Sequence, residues 1–199
     1  MKKAIALTGG IGCGKTFAAS FFTKAGFAVL DTDDLAREVV KPCEPAWQKL
    51  KDSFGADFFC ADGNLDRSKM ARLVFAEPEA RAQLNAIIHP AVHELWIRRV
   101  QPPLEKGGRV LVVVPLLFEA GWEQDFSLVV CVACSPSTQF ARLCSRGWNA
   151  DEIAARIGAQ ICVSEKMKRS DQVIWNDGSD NVLAKQVGRV VDSLKKSFI

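Results

Sequence analysis

The 199-residue sequence lacks a long apolar run, a signal-peptide pattern and a strong net charge. No apolar run approaches the ~20 residues of a membrane-spanning helix. The apolar part of the N-terminal segment is about five residues, below the ~7–15 that a signal peptide needs. We therefore expect a cytoplasmic protein without a membrane partner. The net charge is only +3, whereas nucleic-acid binders usually carry a stronger or more clustered basic footprint, so we expect no nucleic-acid partner.

Histidine and paired cysteines are too scarce for the usual metal or disulfide frameworks. The seven cysteines are an odd number at irregular spacings, which argues against a disulfide framework. Cys131 and Cys134 form a C-x-x-C inside an apolar run typical of a strand, and residues three apart on a strand face opposite sides, so we interpret both as core residues. His89 and His93 are the only histidines, and Pro90 between them favours a helix start. We expect no zinc and no prosthetic group.

What the sequence does contain is an alternation of strand and helix patterns. Apolar runs predict strands at 3–8, 27–30, 110–114, 126–134 and 172–175, and helical segments are predicted at 15–25, 35–40, 137–146, 150–168 and 180–197. The run 110–114 does not alternate, which suits a central strand of a parallel sheet covered on both faces. Strands separated by helices predict an α/β fold in three layers, with a mostly parallel five-stranded sheet.

Two stretches are too long for simple connections within such a sheet. Residues 32–107, between the second and third strands, are mostly helical and predict an inserted subdomain, whereas residues 136–170 are rich in arginine. Both begin at the carboxyl edge of the sheet, where open α/β folds bind ligands.

The segment Gly9–Thr16 matches the phosphate-loop pattern G-x-x-x-x-G-K-[ST] between a strand and a helix. Glycines let successive N–H groups converge on an anion, and the following helix presents its positive end. Lys15 is placed to reach the β- and γ-phosphates, and the Thr16 hydroxyl to bind Mg²⁺. The motif predicts a P-loop NTPase-type fold that binds ATP or a related nucleotide, without saying what happens to the nucleotide.

Three aspartates, Asp31, Asp33 and Asp34, follow the second predicted strand. We expect this strand to lie near the first, which would put the carboxylates close to the phosphate loop. If the segment is extended, Asp31 and Asp33 point to one side. Asp33 is our candidate for the base that accepts an acceptor proton. The alternative, that Asp33 or Asp34 caps a helix starting at Leu35, is compatible with this role.

Charged residues also follow the third and fourth predicted strands. Glu119 comes five residues after the β-branched run, which makes it a weak candidate for an acidic Mg²⁺ residue. Arg142 and Arg146 share one helical face, as do Arg156 and Gln160 on the next predicted helix. Either these arginines form a solvated basic face, or they close over bound phosphates.

These residues together resemble the dephospho-coenzyme A kinase family along nearly the whole chain. Beyond the phosphate loop, the matching motifs are Asp31-x-Asp33 with Ala36-Arg37, Phe54-Gly55, Asp62-Gly63 with Asp66-Arg67, His89-Pro90, Val114-Pro115-Leu116-Leu117-Phe118-Glu119, Gln139 with Arg142 and Arg146, Gln160, Ser170-Asp171 and Asn176. The resemblance implies ATP-dependent phosphorylation, with Mg²⁺, of the ribose 3′-hydroxyl of dephospho-coenzyme A.

The resemblance also implies an organisation and a set of site residues. It implies a core of about 1–31, 108–135 and 171–199, a coenzyme A-binding helical insertion of about 32–107 and a lid of about 136–170, all within one domain and as a monomer or weak homo-oligomer. The implied catalytic residues are Asp33, Lys15, Arg142 and Thr8. The implied nucleotide-binding residues are Gly10, Ile11, Gly12, Cys13, Gly14, Lys15, Thr16 and Phe17, and the implied substrate-binding residues are Asp33, Arg37, His89 and Leu116.

The sequence departs from the family pattern at four places. Cys43 stands where the family usually has a glycine, and because cysteine does not reach positive φ cheaply we expect that turn to differ. Gly147, Ser170 and Phe17 also replace the usual residues.

Three other functions remain open. Another small-molecule kinase could share the fold, although His89-Pro90 and Val114–Glu119 favour the coenzyme A pathway. A GTPase switch would want an N-K-x-D segment, which is absent from the sequence. The short chain and modest charge disfavour a nucleic-acid motor.

Overall fold

The computed structural model describes residues 4–197, with side chains described up to Leu194. Within this range, five strands form one parallel sheet in the order β2-β3-β1-β4-β5, with bounds β1 Ile5–Gly9, β2 Phe27–Asp31, β3 Arg109–Val113, β4 Leu128–Ala133 and β5 Gln172–Trp175. This confirms the predicted α/β fold. The expectation that β2 lies near β1 did not specify the strand order, in which β3 lies between β2 and β1.

The inner strands are buried because both faces of the sheet are covered. Ile5, Leu7, Val130 and Val132 face a core that also contains Phe22. That core is closed by α1 (Lys15–Lys24) and α9 (Asp180–Ser197), which contact each other. On the opposite face, α8 (Val163–Arg169) contacts β1 and β4. The non-alternating run in β3 is buried from Val110 to Val113, as expected for a strand covered on both sides.

The remaining helices have the bounds α2 Thr32–Glu38, α3 Pro45–Phe54, α4 Arg67–Ala76, α5 Pro78–Glu105, α6 Pro136–Cys144 and α7 Ala150–Gly158. The predicted helix 150–168 is in fact two helices, because α7 ends at Gly158 and α8 begins at Val163. A capping box starts α7: Asn149 accepts from the N–H of Glu152, and the Glu152 carboxylate accepts from the N–H of Asn149.

The chain divides into two compact units, one made of the described residues up to Asp31 with those from Val100 onwards, the other of Thr32–Arg99. The second unit is helical, with one isolated antiparallel bridge between Phe59 and Leu65. Trp47 anchors its turn region by donating from Nε1 to the carbonyl of Gly63 at 2.7 Å.

Two predictions about the second unit are wrong. Pro90 does not start a helix, since α5 runs continuously from Pro78 to Glu105 and contains it. Cys43 adopts a left-handed backbone with φ 71°, so the cysteine does not change the conformation that the turn would take with glycine. Within residues 4–197 it is the one non-glycine residue with positive φ. The turn is thus retained at the cost of backbone strain.

Candidate nucleotide site

The loop between β1 and α1 has the backbone that its glycines predict. Gly9 has φ 140°, and a Cβ there would lie 2.1 Å from the carbonyl oxygen of Val132 in the neighbouring strand. Gly14 has φ 92°, and a Cβ there would lie 2.2 Å from Nδ2 of Asn176. Any side chain at either place would therefore force the backbone apart. Lys15, the first residue of α1, folds back over the loop and donates from Nζ to the carbonyls of Gly9 and Gly10, each at 3.0 Å.

Residues of the arginine-rich stretch contact this loop. Nε2 of Gln139 on α6 donates to the carbonyl of Ile11 at 2.7 Å, and the N–H of Ile11 donates to Oε1 of Gln160 at 3.3 Å. Val163 of α8 is close enough that a Cβ on Gly10 would lie 2.5 Å from its Cγ2. The structure therefore brings the predicted lid residues 136–170 into direct contact with the predicted phosphate loop.

Arg142 is attached to the loop through Asn176. One guanidinium nitrogen of Arg142, Nη2, donates to the carbonyl of Asn176 at 2.9 Å, and Nδ2 of Asn176 donates to the carbonyl of Cys13 at 2.9 Å. The other nitrogen, Nη1, lies 3.8 Å from where a Cβ of Gly14 would be. Nη1 is buried and has no hydrogen-bond partner among residues 4–194. A buried cationic donor without a partner is costly, so this atom is poised for an anion at the loop.

The other predicted loop residues surround the same point. Thr8 lies in the fully buried strand β1, and its Oγ1 is buried with no hydrogen-bond partner in the described part of the chain. Thr16 and Phe17 lie in the first turn of α1 and are exposed. The Thr16 hydroxyl can therefore reach a ligand at the loop, and a hydroxyl oxygen is a ligand that Mg²⁺ accepts.

The segment that carries the aspartates is helical from Thr32 onwards. Asp31 is the last residue of β2 and pairs in register with Val113 of β3, which in turn pairs with Leu7 of β1. Asp31 is therefore two strand spacings, ~10 Å, from β1. Asp33 and Asp34 belong to the first turn of α2, which starts at Thr32. They do not cap a helix at Leu35, and the segment after Asp31 is not extended. Both carboxylates are exposed.

Glu119 is engaged by protein groups. Its Oε1 accepts from Nζ of Lys166 at 2.7 Å and from the N–H of Ile161 at 2.9 Å. Nζ of Lys166 also donates to the carbonyl of Pro115 at 2.7 Å, and its side chain is 0% exposed. These contacts tie the start of α8 to the segment that follows β3. Sequence reasoning missed Lys166, because lysine in a basic segment is normally solvated.

Of the remaining arginines, Arg156 stacks over the ring of Trp148, 4.1 Å from its centroid, and Arg146 is exposed. Leu116 is half-buried in the turn after β3, and its carbonyl accepts from the N–H of Ala120 at 2.9 Å.

Two predicted substrate residues belong to the helical unit Thr32–Arg99. Arg37, near the end of α2, is exposed and lies 3.5 Å from Asp34. His89 is half-buried on α5, and its neighbour Pro90 lines a cleft of about 330 Å³. This cleft runs between α5 and the residues around the start of α3, and it carries both acidic and basic side chains, including Glu38, Lys49 and Arg98.

Comparison with known proteins agrees with this geometry. The sequence model of the dephospho-CoA kinase family matches residues 3–181. The chain belongs to the dephospho-CoA kinase family. A dephospho-CoA kinase from Bacillus cereus is 41% identical over 181 residues, which cover 90% of each protein.

Solved structures share the fold of this kinase family. The crystal structure of TT1252 from Thermus thermophilus has a TM-score of 0.82 and 33% identity, covering 96% of this chain and 97% of that one. Dephospho-CoA kinase from Campylobacter jejuni has a TM-score of 0.75 over 100% of both chains, at 23% identity. The fold is thus that of a P-loop kinase. Among the described residues, every helix is too short or too polar to span a membrane.

Proposed function

We propose that this chain transfers the γ-phosphoryl group of ATP to the ribose 3′-hydroxyl of dephospho-coenzyme A, giving coenzyme A and ADP. The observation that carries the proposal is the buried Nη1 of Arg142, which has no hydrogen-bond partner among the described side chains and stands at the phosphate loop. Membership of the dephospho-CoA kinase family supplies the acceptor.

We assign the nucleotide to the loop residues Gly10–Phe17. The carbonyls of Gly9 and Gly10 now hold Nζ of Lys15, and an incoming phosphate is a stronger partner for an ammonium group than two neutral carbonyls. Arg142 can then use Nη1 for a phosphoryl oxygen without giving up its bond to Asn176. The buried hydroxyl of Thr8 would also gain a partner from ligand binding.

Mg²⁺ enters this scheme with ATP. A bound Mg²⁺ neutralises charge on the phosphate oxygens as the phosphoryl group moves. The residue that we assign to it is Thr16, whose hydroxyl is exposed at the start of α1.

We assign Asp33 as the general base. A ribose hydroxyl is a poor nucleophile at neutral pH, so a carboxylate that accepts its proton accelerates attack on phosphorus. Asp33 is exposed in the first turn of α2 and follows the last residue of β2 by two positions, on the segment that leaves the carboxyl end of the sheet. Arg37, His89 and Leu116 are the residues that we propose bind dephospho-coenzyme A.

We further propose that the helical unit forms the coenzyme A-binding insertion, that residues 136–170 act as the lid, and that the enzyme works in the cytoplasm as a monomer or weak homo-oligomer. The free cysteines support a reducing compartment, where thiols persist.

The activity test uses purified protein with ATP, Mg²⁺ and dephospho-coenzyme A, read by mass spectrometry. We expect one phosphate on the acceptor, located on the ribose 3′ position by fragmentation. Dephospho-coenzyme A that lacks the 3′-hydroxyl is the matched control and should gain no phosphate. Phosphorylation of a nucleoside or sugar in preference to dephospho-coenzyme A would overturn the proposal.

The base is tested by comparing three variants, Asp31→Asn, Asp33→Asn and Asp34→Asn. Asparagine keeps the shape of aspartate but cannot accept the proton, so Asp33→Asn should lower kcat by ~10²–10⁴ while ATP still binds. If Asp33→Asn stays within a few-fold of wild type while Asp31→Asn or Asp34→Asn abolishes turnover, the base has been misassigned.

A further inference from the structure

Two buried thiols meet at the phosphate loop. The S–H of Cys134 donates to Sγ of Cys13 at 3.5 Å, although the two residues are 121 positions apart. Cys13 is 0% exposed and Cys134 is 3% exposed. Cys134 directly follows β4, and β4 pairs in register with β1, which leads into the loop. Because side chains alternate along a strand, Cys134 and Cys131 face opposite sides. The pairing of β4 with β1 brings Cys134 next to Cys13.

The two thiols have opposite chemical character. The hydrogen bond from Cys134 and the charge of Lys15 lower the pKa of Cys13 to about 7, although burial opposes this. The same hydrogen bond, together with burial, raises the pKa of Cys134. Burial raises the pKa of the nearby Cys131 to about 11. Cys13 is therefore the nucleophile, Cys134 the thiol that holds its proton, and Cys131 the inert member of the three.

We propose that Cys13 and Cys134 are a modification site, at which a peroxide oxidises the pair to a disulfide that reversibly switches off the phosphate loop. In the first step the Cys13 thiolate attacks one peroxide oxygen, the O–O bond breaks, and Cys13 sulfenic acid and hydroxide form. In the second step Sγ of Cys134 attacks Sγ of Cys13, the S–O bond breaks, and the Cys134 proton leaves with the oxygen as water. Two thiols and one hydrogen peroxide thus give one disulfide and two waters.

We infer that peroxide reaches the pair when the phosphate loop, which carries Cys13, opens locally. Cys13 lies between Gly12 and Gly14, and ligand-binding loops open locally at low free energy. Hydrogen peroxide is little larger than water, so a small opening is enough. ATP bound at the loop closes this route, a consequence that rests on the proposed function.

Forming the disulfide displaces the phosphate loop, because Cys134 is held in place by the sheet. A disulfide needs its sulfurs ~2.05 Å apart, so the present 3.5 Å must shorten by ~1.5 Å. Cys134 continues a strand paired on both sides, and the carbonyl just before it accepts from the N–H of Asn176 at 2.7 Å. Cys13 is held by loop contacts, to Gly10 and Asn176. A displacement of this size at a reacting site lowers the rate by ~10²-fold.

The test treats the intact, nucleotide-free enzyme with hydrogen peroxide, removes the oxidant with catalase, and measures activity, fluorescent ATP-analogue binding and mass. We expect ~10²-fold loss of activity, recovery with dithiothreitol, and a mass decrease of two hydrogen atoms. Peptide mapping should show a Cys13–Cys134 cross-link that appears at the rate of inactivation. Saturating ATP should slow both. Inactivation without that cross-link overturns the proposal.

Variants separate this pair from the other cysteines. Cys134→Ser and Cys134→Ala should keep basal activity within a few-fold and resist the dose of peroxide that inactivates wild type. Cys162→Ser is the matched control, because Cys162 is an exposed thiol whose pKa is lowered by a hydrogen bond from Ser164. Cys162→Ser should be inactivated like wild type. If it is protected, or if both Cys134 variants are inactivated at the wild-type rate, the proposal fails.

The cross-link and the binding of the ATP analogue do not depend on which acceptor is phosphorylated. A cross-link that abolishes analogue binding in a protein inactive on dephospho-coenzyme A would leave this inference intact and reject the proposed acceptor. Normal kinase activity on dephospho-coenzyme A with no cross-link would support the proposed acceptor and reject this inference.

Discussion

Replacing Lys166 by methionine should destabilise the fold more than any other single lysine substitution on α8. The ammonium group of Lys166 is fully buried and joins Oε1 of Glu119 to the carbonyl of Pro115, at 2.7 Å each. Methionine has a similar volume, so packing is largely kept and the change removes mainly the charge and its hydrogen bonds. Among the described residues, Glu119 would keep only the N–H of Ile161 as a donor.

The size of the stability loss follows from the charge that Lys166→Met leaves unpaired on Glu119. Removing one partner of a buried ion pair costs about 3–5 kcal/mol, because the other charge stays desolvated and unpaired. Glu119 keeps the hydrogen bond from the N–H of Ile161, which relieves part of this cost, so we expect the lower end, about 3 kcal/mol. For a chain of this length each kcal/mol lowers Tm by about 2–4 °C, which gives a fall of about 6–12 °C.

The measurement is urea unfolding followed by tryptophan fluorescence, with calorimetry for Tm. Lys168→Met is the matched control on the same helix: Lys168 is exposed and 3.6 Å from Glu165, so it should change stability by less than about 0.5 kcal/mol. Adding Glu119→Gln to Lys166→Met removes the stranded charge and should restore at least ~1 kcal/mol. Equal stabilities for Lys166→Met and Lys168→Met would refute the reasoning.

Three further outcomes are expected. Lys15→Ala should remove nearly all turnover, mainly through kcat, because Lys15 stabilises charge on the transferring group; near-normal kcat in a folded variant would reject the loop assignment. Arg142→Lys should lower kcat/KM at least ~10-fold, because an ammonium cannot bond Asn176 and a phosphate in the guanidinium geometry; an unchanged kcat/KM would remove its role. Cys43→Gly should raise unfolding free energy by ~0.5–1 kcal/mol, since φ is 71° there, whereas Cys43→Ala should not; equal effects of the two would point to the thiol.

The phosphate loop could be predicted from sequence because its motif is local. The glycines, Lys15 and Thr16 lie within eight consecutive residues, and the flanking patterns fix a strand before them and a helix after them. Backbone demands such as φ 92° at Gly14 follow directly from residue type.

Strand order could not be predicted in the same way. Apolar periodicity reports whether a residue is buried but not which strand lies beside it. The β2 strand is buried only at Phe27 and partly exposed after it, as suits an edge strand, yet the sequence of Phe27–Asp31 is strongly apolar. The expectation that β2 lies near β1 did not specify a strand between them, and that strand puts Asp31 two strand spacings from β1.

The error at Pro90 comes from weighing local propensity above packing. Proline removes one helical hydrogen bond and crowds the preceding turn, at a cost of ~3 kcal/mol. In α5 that loss is set against the burial of apolar side chains after it, among them Val92, Leu95 and Trp96. Each buried side chain of this size contributes about 1.5–3 kcal/mol, so together they outweigh the proline.

The contacts that sequence reasoning missed share a physical cause. Cys134 lies against Cys13 across 121 positions, and Lys166 lies against Pro115 across 51. Cys134 follows β4, and the pairing of β4 with β1 brings Cys13 to it. Pro115 follows β3, and α8 brings Lys166 to it. Neither residue type carries a signal of its own, because buried cysteine is common and lysine is normally solvated. The chemical properties of Lys166 and Cys13 therefore depend on the neighbours that the fold places beside them. For that reason Cys13, one variable position of a loop fixed by its motif, is the place where this chain can differ in regulation from kinases that share the same loop.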